Sequence, residues 1–160
     1  MVVIEGLALC FWMLIICVVG IANGCEKFVV FYEQDVKDRV VELGLTTAEQ
    51  IKKSSAVTVT VLFVPMLLGI PAMVYGINGA EGFWDGFRQM TCIYIFSGLF
   101  DRLFIDWYWV GHTKAWQIPG TEDLMPYIPK KTLITKWFGT LVGMPLIAAV
   151  TAAVMSAVMK

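Results

Sequence analysis

Four residues between Ser97 and Trp116 carry the groups best suited to chemistry. Asp101, Arg102, Asp106 and the chain's one histidine, His112, fall within the run SGLFDRLFIDWYWVGHTKAW. Arg102 and Asp106 are four apart, the spacing that pairs side chains along one helix face. Asp101 lies about 100° round a helix from Arg102. An arginine in such a place can hold an anionic head group, and Asp101 can orient it. Asp106 or His112 can move a proton, so these two are the candidate catalytic residues. Asp101, Arg102 and Trp109 are the candidate substrate-binding residues.

Asp106, His112, Glu122 and Asp123 also form a donor set chemically suited to a divalent metal, but no spacing demands one. No metal and no cofactor is assigned. The aromatic run from Phe96 to Trp116 reads as interface anchors or as the lining of a pocket for a lipid, isoprenoid, quinone or sterol-like ligand. The competing reading of Arg102 and its carboxylates is an interfacial ion pair that fixes helix depth.

Composition limits what these residues can serve. Of 160 residues, 58% are hydrophobic and 16% charged, with a net charge of −1. Soluble domains are nearer 45–50% apolar and about 25% charged. There is no basic patch or tail, so a nucleic-acid partner is not expected. Four cysteines, Cys10, Cys17, Cys25 and Cys92, form no CxxC pair and read as small packing residues. One histidine excludes a bis-histidine haem within one chain and a multi-histidine di-iron cluster. GxxxxGK[ST], GxGxxG, HExxH and GxSxG are all absent, and no arginine ladder suggests a voltage sensor.

The elements that would position the cluster are membrane-length helices. Gly6–Cys25 is twenty residues without a formal charge. That is enough to cross about 30 Å of hydrocarbon. A cleaved signal peptide would want Lys or Arg before the apolar core, where only Glu5 stands, so a retained first helix is expected. Ser54–Ala80 is twenty-seven uncharged residues containing Pro65 and Pro71. Each proline removes a backbone donor, and a kink is expected there. Trp137–Met159 is twenty-three uncharged residues, with Gly139, Gly143, Ala149, Ala153 and Ala157 predicting a small-residue packing face within the bundle or between protomers. Between these lies a weaker span whose longest uncharged run, Gln89–Phe100, is only twelve residues. If it crosses, some of the charges at Arg88, Asp101, Arg102 and Asp106 must sit at or below the interface.

The first polar connection repeats Val36, Val40 and Leu43 at helical spacing, which predicts a short amphipathic surface helix stopped at Gly44. Thr46-x-x-Glu49 reads as a capping box that starts the next helix near Thr47. The third connection, from Val110 to Thr135, is broken by Pro119-Gly120, Pro126 and Pro129 and predicts an ordered loop. Its apolar residues Trp116, Ile118 and Tyr127 would lie on the membrane or fold back over the bundle. Connections one and three hold the lysines and arginines while the second holds none. The positive-inside rule then places both in the cytoplasm and both termini outside.

The expected fold is an all-α integral membrane protein: one domain over 1–160 and a four-transmembrane-helix bundle. Its spans fall near 4–25, 56–78, 84–108 and 134–158, the second helix is kinked, and short amphipathic helices occupy the first cytoplasmic connection. The plasma (inner) membrane is the expected location. The expected function is to bind or process an amphipathic, lipid-like substrate at the polar cluster near the cytoplasmic interface. Two alternatives stay open: a homo-oligomeric small transporter or channel, and a non-catalytic scaffold subunit with a membrane partner. The bilayer itself is an expected partner in every case.

Overall fold

A computed structural model of the chain describes residues 1–158; Met159, the last of the fourth uncharged run, lies outside them. Among the described residues the structure is helical throughout, with no strand. The helices are α1 (Val2–Ala22), α2 (Gln34–Glu42), α3 (Ala48–Val64), α4 (Ile70–Gly76), α5 (Gly82–Phe100), α6 (Lys130–Phe138) and α7 (Met144–Val158). A π-helical turn, Pro65–Gly69, joins α3 to α4 without a break, and another, Gly139–Gly143, joins α6 to α7. A third π segment, Asp101–Val110, prolongs α5.

Three of these helices are long and apolar enough to cross a membrane: Val2–Ala22, Ala48–Gly76 and Lys130–Val158. The remaining long helix, α5 with its π extension, is not among them. Asp85, Arg88, Asp101, Arg102 and Asp106 divide its apolar run.

Local sequence sets the helix ends. The box that starts α3 is one residue later than the sequence pattern suggested. Thr47 Oγ1 accepts from Gln50 N, and Gln50 Oε1 accepts from Thr47 N, both at 3.2 Å. Thr46 turns its hydroxyl to the same Gln50 Oε1 at 3.2 Å, which leaves Glu49 in the first turn without a capping role. α2 is closed off by Gly44, two residues past its end, whose φ is +70°. There Gly44 N donates to Val41 O at 3.0 Å and Leu45 N to Val40 O at 3.1 Å. This is the paired closure that glycine permits after a helix, because no Cβ opposes the left-handed backbone.

Two cores result. The first lies between α1, α4, α5 and α7, around Leu9, Val74, Met90, Ile93, Tyr94 and Ala148. α5 is its centre and packs chiefly against α7 and α1. Gly98 permits that approach: a Cβ there would stand 2.6 Å from Thr140 Cγ2. The buried face of the last helix is Thr140, Ala148 and Ala152. The predicted Ala153 and Ala157 are exposed instead, and a Cβ at Gly139 or Gly143 would meet nothing within 4 Å.

The second core is built by the two polar connections closing over one end of the helices. Val29, Val36, Val40, Trp116, Ile118 and Tyr127 form it with Ile105 of the π segment. Val36 and Val40 are 1% and 0% exposed, so α2 is a packed element of this cap and not only a surface helix. Burying each valine contributes about 1.5–3 kcal/mol.

Candidate functional site

The candidate site lies where the π segment of the α5 helix passes beneath the cap. Three of its ten residues are buried: Arg102, Ile105 and Asp106. Leu103, Phe104, Trp107 and Tyr108 point outward. The guanidinium of Arg102 is paired with both Asp101 and Asp106. Lys136, on α6, completes the group, with Nζ 2.8 Å from Asp106 Oδ1. The side chains of Asp106 and Arg102 are 4% and 9% exposed, against 22% for Asp101 and 30% for Lys136.

Two cations and two carboxylates thus cancel. That balance is what makes burial tolerable, because an uncompensated buried charge costs several kcal/mol. Asp106 is the hinge of the arrangement, since it alone meets both cations.

A cavity of about 170 Å³ opens against this cluster. Its walls come from all four long helices and both polar connections. Met13 and Cys17 of α1, Leu62 of α3, Ile105 and Val110 make it apolar, and Tyr32, Trp116 and Tyr127 roof it. The roof is held by its own hydrogen bonds. Tyr32 Oη donates to Trp116 O at 2.5 Å. Tyr127 Oη accepts from Ile118 N at 3.2 Å and meets Thr121 Oγ1 at 2.8 Å. The Tyr32 and Tyr127 rings sit edge to face, with centroids 5.0 Å apart. Burial, with a smaller part from the neighbouring Cys25 and Tyr127, pushes the Tyr32 phenol up, so it stays a neutral donor. Burial pushes the Cys25 thiol up as well.

Two donors in the cavity wall lack a partner. Arg102 Nε and Trp116 Nε1 are buried, and neither meets a hydrogen-bond acceptor among the described residues. Buried N–H groups are normally paired, so each is a donor with unused capacity on a residue that lines the cavity. The arrangement can accept a small polar group bearing oxygens, surrounded by apolar wall.

Of the residues singled out by sequence, Asp101, Arg102 and Asp106 line the cavity, and Trp109 and His112 do not. Trp109 stands behind the roof, its ring edge to face with Trp116 at 5.5 Å between centroids. His112 is exposed, and its Nδ1 lies 2.6 Å from Trp107 O. A carbonyl oxygen only accepts, so Nδ1 carries the proton there. The suggested metal donors do not gather. Asp123 pairs with Arg39 at 3.2 Å, Glu122 accepts from Gly120 N at 2.9 Å, and no metal-suited group of three forms among the described residues.

Sequence reading missed Lys136. One signal was present: Lys136 is the last charge before the fourth uncharged run, as Asp106 is the last before the aromatic end of the third helix. Opposite charges at the same depth of neighbouring helices are candidates to pair. Comparison with family descriptions, with curated proteins and with solved structures finds no match for this chain.

Proposed function

We propose that this chain is a four-span protein of the plasma membrane that binds an amphipathic, lipid-like molecule, with its head group in the cavity beneath the cap. The observation that carries this reading is a cavity bounded by a neutralised ion cluster and an otherwise apolar wall, with two of its lining residues holding buried donors that lack a partner, Arg102 Nε and Trp116 Nε1. Because the two cations there are already neutralised, the head group we favour is uncharged and oxygen-bearing, such as a hydroxyl, ester or quinone carbonyl. An engineered apolar cavity of about 150 Å³ accommodates benzene, so a volume of about 170 Å³ suits one ring or a small head group, with the tail left outside.

In this reading the charged α5 helix is the remaining span, shielded by α1, α4 and α7. The second span bends at Pro65 and Pro71, and both polar connections face the cytoplasm, following their lysines and arginines. Ionisable groups within spans ordinarily face the protein interior, as Arg102 and Asp106 do.

Native mass spectrometry of protein gently extracted from its own membrane, with metal analysis of the same sample, tests the proposal. A stoichiometric lipid-like molecule, lost in Trp116→Phe while the fold is kept, supports it. A protein that carries no such molecule from any extraction refutes it.

A second reading, assembly of a transporter from several copies, rests on the last helix. Gly139 and Gly143 have open space where a Cβ would stand, and Leu146, Val150 and Val154 beside them are exposed. A defined homo-oligomer with an empty cavity, able to pass solute in liposomes, would favour it.

A further inference from the structure

α1 and α3 run antiparallel and present matching stripes to each other. On α1 and its C-cap the stripe is Trp12, Ile15, Ile16, Val19, Gly20 and Asn23. On α3 it is Gln50, Lys53, Ser54, Val57, Thr58 and Val61. Each set falls at i, i+3, i+4, i+7, i+8 and i+11, the spacing of a helix face that packs on a neighbour. The two faces nonetheless stand apart. At one end Trp12 Nε1 donates to Val61 O at 3.1 Å. At the other, Phe28 lies across Gly20, and Ser54 Oγ donates to Lys27 O at 3.2 Å. Between these pins runs a groove of about 610 Å³, with Val19 and Val57 still 53% and 57% exposed.

The dimensions and charge of this groove name its occupant. Eleven helical steps span about 17 Å, close to half of a hydrocarbon core about 30 Å thick. The groove therefore matches one leaflet. Apart from Thr58 it is apolar along most of its length, and its charged and amide side chains gather at the end nearest the connections, where Asn23, Lys27, Gln50 and Lys53 stand. Lys27 and Lys53 are exposed, neither is in an ion pair among the described residues, and no carboxylate lines the groove. The neighbouring Glu26 and Glu49 lie outside it.

We propose that this groove binds an anionic glycerophospholipid from the leaflet on the side of the polar connections. One acyl chain lies between the two stripes, and the phosphate meets the ammonium groups of Lys27 and Lys53. Only Ile16 lines both this groove and the cavity under the cap, so the site does not rest on the reading of that cavity.

The test uses the whole chain in mild detergent, stripped of lipid and offered equimolar dioleoyl phosphatidylglycerol and dioleoyl phosphatidylcholine. Native mass spectrometry then counts what is retained. The wild type should prefer phosphatidylglycerol. Lys27→Gln with Lys53→Gln should cut that preference about twenty-five-fold, taking about fivefold per lysine at an anionic lipid surface. Val57→Trp and, separately, Val19→Trp should fill the groove and lose retained lipid of both kinds. They act from different helices, so one misfolded variant leaves the other as a test. Lys130→Gln, at an exposed lysine outside the groove, should leave the preference unchanged, which shows that the effect belongs to this site and not to positive charge in general. Equal retention of the two lipids by the wild type, a preference that survives the lysine changes, or undiminished retention in a folded tryptophan variant would each overturn the proposal.

Discussion

Tyr94 Oη donates to Met66 O at 2.8 Å, and this bond completes a helix that its own sequence cannot close. In the π turn Pro65–Gly69, Ile70 N bonds to Pro65 O, five residues back. Ile70 N is thereby withdrawn from Met66 O, its partner in ordinary α-helical register. In the wider register the next donor to Met66 O would come from residue 71, which is proline and has no N–H. The hydroxyl of Tyr94, fully buried on α5, supplies the missing proton. Away from water, an unpaired carbonyl would be costly.

Tyr94→Phe should therefore destabilise the fold by about 1–3 kcal/mol, the cost of leaving a buried acceptor unpaired. Pro71→Ala returns an N–H to the helix, so adding it to Tyr94→Phe should recover much of the loss. Unfolding by dodecyl sulfate in mixed micelles measures both. Two losses that simply add would mean that Tyr94 and Pro71 are not coupled through Met66.

The ion cluster gives a graded series. Arg102→Met removes the guanidinium between two carboxylates and should cost about 3–5 kcal/mol, as expected when one partner of a buried pair is deleted. Lys136→Met should cost less, because the lysine side chain is 30% exposed and Asp106 keeps Arg102. Its effect should fall between that range and the roughly 0–1 kcal/mol of a surface pair. The reverse order in the same micelle assay would show that Lys136, not Arg102, is the main counter-ion of Asp106.

Gly98 and Thr140 offer a steric test of the α5 packing. Gly98→Ala would bring a Cβ to 2.6 Å from Thr140 Cγ2. Overpacking of this kind typically costs about 1–3 kcal/mol. Thr140→Ser deletes the opposing methyl, and in the Gly98→Ala background it should restore most of the stability. Failure of that rescue would place the strain elsewhere in the α5–α7 contact.

The helical class and three membrane-length helices were legible because long uncharged runs have few other uses in a folded chain. Asp101, Arg102 and Asp106 stood out for the converse reason, as charges within an apolar helix. Lys136 did not, because a lysine next to a loop reads as solvated until its neighbour across the bundle is known. His112 and Trp109 were singled out by side-chain chemistry, and only tertiary packing shows that they face away from the cavity. The π turns had a faint signal that sequence reading passed over. Leu68-Gly69-Ile70-Pro71 and Val142-Gly143-Met144-Pro145 share a pattern, and each π turn ends at the glycine two residues before the proline. The cap was half legible: proline punctuation gave the loop, but the partners of Trp116 and Tyr127 lie some ninety residues earlier in the chain.

Closure of that cap can be read at Cys25. Its Sγ donates to Ala115 O at 3.3 Å, and burial raises its pKa. The thiolate is the reactive form, so a raised pKa means less of it at pH 8 than an unburied cysteine would have. In a Cys10→Ala, Cys17→Ala, Cys92→Ala background, Cys25 should react with N-ethylmaleimide at least tenfold more slowly than a free thiol, and faster as the pH rises past 9. Tyr32→Phe removes the bond to Trp116 O and should speed labelling at fixed pH by letting the 113–129 segment lift. Trp107→Phe, on the outward face of the π segment, should not. Rapid labelling in the parent protein would mean that the cap opens freely and gives the cavity no lasting roof.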